Sequence, residues 1–465
     1  MADKFKGTLW AIAFFMFCFF ILMPIRLFAE PVSRNTDKIK KGVYRVYSAP
    51  VNYKTPQGKF EKIDLAATTS TATTLSRNKG VVKALFCDRQ VTFTPDEGQW
   101  SLVVRAGTQT LTGIAPIMIT AQKPIVKPGK PDRTEMDGDK FEVNTTAQGS
   151  KFLIPSTDKV TDFSCQFILT PSKGLELVYK DGQVWFEYRG KVALRIGEPK
   201  LLDTDLNTLG ELDQNLVDFT LVDSGHGTWT YTKIPGKDFA ELKKPANYFI
   251  DADVVYGEQS GGEIYAGGAI WSTKHNQVNG DSFDKTGPKV YVGARDKGGG
   301  GDCYFRRLFL QIDLSAFENG GTIESATYHA QLWDNTKTDT STQLAKSTAD
   351  MSLVGAFATN YQKYGAAISD IVTTRYGWGT FVISDIAYVQ DAFGGMWKYC
   401  HMDSRDLADS SPGVFNGINN TYPWFSGRIP YITLTGYLPP TPTPTPETPQ
   451  RGFWSWKDNG FYTWP

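Results

Sequence analysis

Cys303-Tyr304-Phe305-Arg306-Arg307-Leu308-Phe309-Leu310-Gln311-Ile312-Asp313-Leu314-Ser315, followed by Gly320-Gly321-Thr322-Ile323-Glu324-Ser325-Ala326-Thr327-Tyr328-His329-Ala330-Gln331-Leu332-Trp333, reads as two strands and a turn. Successive side chains of a strand point to opposite faces. Leu308, Leu310, Ile312 and Leu314 then share a core face, while Arg307, Phe309, Gln311 and Asp313 share the other. The second strand repeats the split, with Tyr328, Ala330 and Leu332 set against His329, Gln331 and Trp333. The connection from Ser315 to Gly321 is rich in turn residues. A slip of one residue would put Arg307 inside, where an unpaired charge is very costly.

The same period of two runs through the chain from Val43 onward. Val91-Thr92-Phe93-Thr94, the turn Pro95-Asp96-Glu97-Gly98 and Trp100-Ser101-Leu102-Val103-Val104 are typical of it. Few stretches hold a helical period beyond two turns, so the chain reads as all-β, made of tandem antiparallel β-sandwiches. The prolines of residues 123–132 and the step at Lys243-Lys244-Pro245 mark boundaries. The Thr-Pro repeats of 439–450 form a stiff polyproline spacer. The expected units are a β-sandwich at 42–122, a second β-domain at 133–240, a module at 246–438, the linker, and an aromatic tail at 451–465. That tail is either a docking peptide or the start of a further module.

Composition narrows the function. The chain has 465 residues, with 49 Lys+Arg against 49 Asp+Glu and aromatic residues at 13%, which suits globular structure and provides no basic field for nucleic acid. Its 4 histidines are scattered and form no local metal or general-base motif. Residues 1–29 combine Lys4 and Lys6 with an apolar run from Leu9 to Met23 and a cut after Ala29. Such a run rises about 22 Å as a helix, short of a membrane core of about 30 Å. A cleaved signal peptide is favoured over a retained membrane anchor, and either one places the rest of the chain outside the cell. Outside, Cys87, Cys165, Cys303 and Cys400 are an even set, and Cys87–Cys165 with Cys303–Cys400 is the simplest pairing. Four buried free thiols are the alternative.

The opening stretch also resembles the DNRLRE domain of secreted bacterial proteins, a jelly-roll sandwich akin to alginate-type carbohydrate-binding modules. Arg307, Ile312-Asp313-Leu314-Ser315, Gly321-Thr322-Ile323 and Ser325-Ala326-Thr327-Tyr328 carry the likeness. Asp251-Ala252-Asp253, Val290-Tyr291-Val292-Gly293, Phe381 to Val389 and Arg428 to Tyr437 extend it over residues 246–438. The resemblance implies a C-terminal jelly roll with insertions around 260–285 and 400–422. Residues 42–240 are similar to the paired β-domains at the front of wall-associated and Rhs-like surface proteins, through Ser48 to Tyr53, Gly58 to Asp64 and Gly197 to Asp203.

Read from the residues alone, Arg307, Gln311, His329, Gln331 and Trp333, with Asp313, make a face of planar hydrogen-bonding groups and one aromatic. That chemistry stacks on a sugar ring and grips its hydroxyls. The competing reading is an ordinary solvated strand face. Asp281, Asp284, Asp296 and Asp302 lie in Gly-rich segments, leaving a structural calcium loop open beside plain loop chemistry. Ser224-Gly225-His226 lacks the geometry of a nucleophile and its base. The expectation is an exported, non-catalytic surface protein that binds polysaccharide or matrix, needs no cofactor and contacts no nucleic acid. A purely architectural surface component is the alternative, and a polysaccharide-degrading enzyme the third reading.

Overall fold

The computed structural model describes residues 29–437 apart from 56, 72–73, 80–81, 86–89, 95–97, 114–124, 128–129, 137–140, 146–148, 181–182, 198, 205, 207, 211–213, 257–260, 285–289, 297–301, 319, 335–340, 354–355, 374–375, 410–414 and 422–427. Antiparallel strands build two sandwiches.

The first sandwich packs an eight-stranded sheet on a nine-stranded one. In the strand Asp162–Pro171 of the smaller sheet, Phe163, Cys165, Phe167 and Leu169 point inward. They share a core with Phe152, Ile154, Phe186, Leu194, Tyr248 and Ile250 of the larger sheet. The expected boundary at 123–132 does not divide this core, because Leu102–Thr112 pairs directly with Asp162–Pro171. One sandwich thus takes in most of the expected 42–122 and 133–240 units. It also takes Asn247–Tyr256, expected as the opening strand of the 246–438 module, which pairs instead with Gly149–Thr157 along its length.

The second sandwich has a front layer of Val43–Tyr47, Tyr431–Tyr437, Thr322–Asp334 and Tyr376–Val382. Its back layer holds Gly261–Gly268, Cys303–Asp313, Met396–Asp403 and Ser341–Ser347. Val290–Asp296 and Phe415–Thr421 join the layers at one end. From Cys303–Asp313 onward the long strands pass back and forth between the layers, the short strands Tyr364–Ala367 and Val372–Thr373 adding to Ser341–Ser347 in the back layer, which is the jelly-roll pattern. The core between them contains Leu308, Leu310, Ile312, Tyr328, Ala330 and Leu332, all on the inward faces read from the alternation. Tyr44 and Val46 enter the same core, and Asn35 Nδ2 donates to the Asp313 carbonyl at 2.9 Å. Residues from both ends of the described chain therefore complete this sandwich, and the first is inserted between them.

A second apolar cluster covers the outer face of the back layer, where Phe305, Phe309, Ala345, Cys400 and Met402 lie against Met351, Phe357 and Tyr361. The helices Trp271–His275 and Ser404–Leu407, from the segments read as insertions, belong to this cap.

The Cys303–Cys400 bridge expected from cysteine count is not formed; Cys165, Cys303 and Cys400 are buried free thiols. Cys400 sits opposite Phe309, six residues along the strand from Cys303. At about 3.3 Å per residue that is roughly 20 Å, against the roughly 7 Å limit for bridging Cα atoms. Burial pushes the Cys165 thiol up to about 12, so it stays protonated. The side chain of Cys87, residues 1–28, the linker and the aromatic tail lie outside the described residues. Among the described residues no helix is long and apolar enough to cross a membrane.

Candidate functional site

The two strands that begin the sequence reading do not form a hairpin. Cys303–Asp313 pairs with strands of the back layer, and Thr322–Asp334 pairs with strands of the front layer. Their polar residues consequently leave opposite sides of the sandwich. Arg307 and Gln311 belong to the back, while His329, Gln331 and Trp333 belong to the front; the expected five-residue face is split.

Arg307 leaves the site altogether. It is 0% exposed and makes a forked ion pair with Asp406, Nε to Oδ2 at 2.8 Å and Nη2 to Oδ1 at 2.7 Å. Its Nη1 donates to the Tyr361 carbonyl at 2.9 Å, and the guanidinium lies 3.9 Å from the Tyr361 ring centroid and 4.6 Å from that of Tyr364. His275 Nε2 meets the Asp406 carbonyl at 2.9 Å. The charge that alternation put in solvent instead ties the cap to the sheet. Beside it Arg306, in unbroken register with Tyr265, donates to Glu263 Oε1 at 2.8 Å. Gln311 is half-buried opposite Lys398, away from the front face.

The front layer is open. Register brings Tyr47, Tyr431, His329 and Thr380 into one row across four strands, with Gln331 and Trp378 in the next. His329 stacks on Tyr431 at 4.6 Å between centroids, and the Arg45 guanidinium sits 4.4 Å from the Tyr431 ring centroid. The three groups form a stack across the strands. Tyr47 and Trp378 flank Tyr431 at 5.5 and 5.4 Å. Trp378 is 42% exposed and provides the aromatic face that the stack does not. Its neighbour Gly379 lies inward, where a Cβ would come 2.9 Å from Leu332 Cδ1, so a larger residue there requires the Leu332 side chain to shift. Trp333 has its backbone in register with Tyr376 and Asn420, and its side chain is outside the described residues.

Electrostatics fit hydrogen bonding better than acid–base work. Burial, then the nearby Arg45 charge, lowers His329 below the ordinary imidazole value, leaving it neutral near pH 7. Burial, then Asp37, pushes the Tyr47 phenol up to about 12. Lys62 pairs with Asp37 and lies 5.3 Å from the Tyr47 ring centroid. Asp281, one of the calcium candidates, accepts from Lys274 Nζ at 3.0 Å and from the Gly267 amide at 2.8 Å. Among the described residues no three His, Cys, Asp or Glu side chains gather as a metal site.

Arg45, Tyr47, Trp378, Thr380 and Tyr431 were not singled out in the sequence. Val43-Tyr44-Arg45-Val46-Tyr47 carries the same alternation as the opening stretch, and Gly377-Trp378-Gly379 isolates a tryptophan on a strand. What placed them together was pairing between residues more than three hundred positions apart.

Comparison with protein-family models finds no match, and no curated protein matches. Among solved structures, the chain has a slight similarity to SGBP-B of the Bacteroides ovatus mixed-linkage glucan utilization locus, solved in complex with a mixed-linkage heptasaccharide. The alignment covers 77% of this chain and 96% of that one, at 9% identity and a TM-score of 0.14, a likeness that carries no argument about fold or ligand.

Proposed function

We propose that this chain is an exported, non-catalytic surface protein that contacts polysaccharide through the outer face of the front layer. The observation that carries the proposal is Trp378, exposed on a strand laddered to Thr322–Asp334, beside Tyr431, His329, Gln331 and Thr380. A pyranose presents an apolar C–H face and a rim of hydroxyls. It needs one aromatic surface to lie on and several donors and acceptors at the side. The front face groups both kinds of contact, and Arg45 adds a guanidinium already fixed against Tyr431.

Titration calorimetry against a panel of soluble polysaccharides tests this reading. Trp378→Ala should weaken binding by about tenfold or more, the equivalent of about 1.4 kcal/mol, with the melting temperature kept. Arg307→Lys should leave affinity unchanged in whatever fraction remains folded. If the intact protein binds none of the panel, the face is only a solvated sheet surface and the architectural role takes its place. Release of reducing ends from any polysaccharide would overturn the non-catalytic assignment.

A further inference from the structure

We infer that Lys151 and Asp251 of the first sandwich join in an intramolecular amide bond that the folded chain forms by itself. Lys151 Nζ lies 2.9 Å from Asp251 Oδ2, with side chains 4% and 2% exposed. The two residues sit on Gly149–Thr157 and Asn247–Tyr256, strands paired along nine residues of register. Phe152 and Ile154 point into the main core, so Lys151 lies on the opposite face. There Leu153, Leu202, Leu206 and Phe249 form a small apolar cluster of their own.

Two features make this more than an ion pair. The second carboxylate oxygen, Asp251 Oδ1, is buried and accepts no hydrogen bond. A buried charged pair with an unsatisfied carboxylate oxygen is costly away from water, and joining the two side chains as an amide removes both charges. The form of the pair that reacts is the neutral one, an amine whose lone pair is a nucleophile against a carboxylic acid. The second feature is Glu142, 2% exposed, on the neighbouring strand and the same face. Asn144 opposes Lys151 and Glu142 opposes Leu153, which places Glu142 diagonal to the amine.

In the reaction, the Lys151 nitrogen forms a bond to Asp251 Cγ while the carbonyl π pair moves onto oxygen. Glu142 takes the surplus proton from nitrogen and delivers it to the leaving hydroxyl. The C–O bond then breaks, the carbonyl re-forms, and one water departs. Nothing is oxidised or reduced. The link spans 100 positions of chain and clamps the strand by which the chain leaves the inserted sandwich. It would supply the covalent restraint expected of an exported protein whose described cysteines are free thiols.

Proteolytic mapping of the full-length protein by mass spectrometry tests it. The expected result is a branched peptide joining the Lys151 and Asp251 segments, lighter than their sum by one water. Lys151→Arg keeps the positive charge but should yield two linear peptides, as should Asp251→Ala. Glu142→Gln should fold, by circular dichroism, and remain mostly unlinked; complete linkage in that variant would overturn the part given to Glu142. Two separate unmodified peptides from wild-type protein that melts cooperatively would overturn the inference itself.

Discussion

The outer faces of the two layers in the second sandwich began with the same pattern and ended in opposite environments. On the back layer, Phe305, Arg307 and Phe309 alternate with the core residues and are themselves buried under the cap. On the front layer, Thr327, His329 and Gln331 alternate with Tyr328, Ala330 and Leu332, and the face they form stays accessible around Trp378. Alternation states which residues share a face. It does not state what lies over that face. A charged residue on a covered face must find a partner, and Arg307 finds Asp406 across 99 positions of chain; a polar residue on an open face has water and needs none.

Arg307→Ala should break this comparison most severely. It strands the fully buried Asp406 carboxylate, and loss of one partner from a buried pair costs about 3–5 kcal/mol. Denaturant unfolding of the variant checks it, with Gln331→Ala on the open face expected to change stability by less than about 0.5 kcal/mol. Equal effects from the two substitutions would mean that the cap does not exclude water from Arg307. Replacing Arg307 and Asp406 together with Met and Leu should recover much of the loss, since an apolar pair leaves no charge unpaired.

The next effect belongs to the core that both layers share. Leu310→Ala removes a fully buried side chain facing the front layer and should cost about 2–5 kcal/mol, depending on how far the cavity collapses. Phe309→Leu, one position along and pointing into the cap, should cost less because volume and apolarity are largely kept. The two values, measured by the same unfolding experiment, separate the strength of the sandwich core from that of the cap.

The inward faces were legible because period two is a local property. Leu308, Leu310 and Ile312 need only their own strand to declare themselves. The layer to which each strand belongs was not legible, because it depends on pairings such as Tyr47 with Tyr431 and Leu308 with His401. One signal was present in the opening stretch: a face carrying Phe305 and Phe309 beside Arg307 is too apolar for water alone, and a second cover accounts for it. The N-terminal strand Val43–Tyr47 was hidden for a different reason. Its alternation is as clear as any, but proximity in sequence assigned it to the sandwich that follows it rather than to strands near residue 435. The candidate site suffered most. His329 and Gln331 lie on the open face as read, whereas Arg307 and Gln311 required the layer assignment that local pattern lacks.

A smaller effect sharpens the contrast between the two histidines. His401 is fully buried in the shared core, its Nε2 3.0 Å from Thr342 Oγ1, and burial lowers its pKa from 6.5 to about 3. The folded state keeps this ring neutral while the unfolded chain takes up a proton. The resulting stability is therefore complete above about pH 6.5 and is lost as the pH falls toward 3, at about 1.4 kcal/mol per unit. His401→Gln should flatten that slope, whereas His329→Gln, half-buried on the open face, should flatten it far less. Unfolding curves at pH 7, 6 and 5 give the slopes; a His401→Gln variant with the wild-type acid slope would move the origin of acid sensitivity elsewhere.

The smallest effect on stability is expected at Trp378. Its ring projects from the front layer and meets Tyr431 at a tilt, while the strand itself is held by its ladder to Thr322–Asp334 and by the inward Gly379 and Phe381. Trp378→Ala should shift unfolding by less than about 0.5 kcal/mol. Trp397→Ala, in the core and 0% exposed, should cost about 3–5 kcal/mol. Melting the two variants side by side measures how open the front face is. A Trp378→Ala loss comparable to that of Trp397→Ala would make Trp378 a packing residue and remove the aromatic surface on which a sugar ring is proposed to rest. A near-zero loss in stability together with weakened polysaccharide binding is the outcome that the open face requires, because only a ligand then depends on the ring.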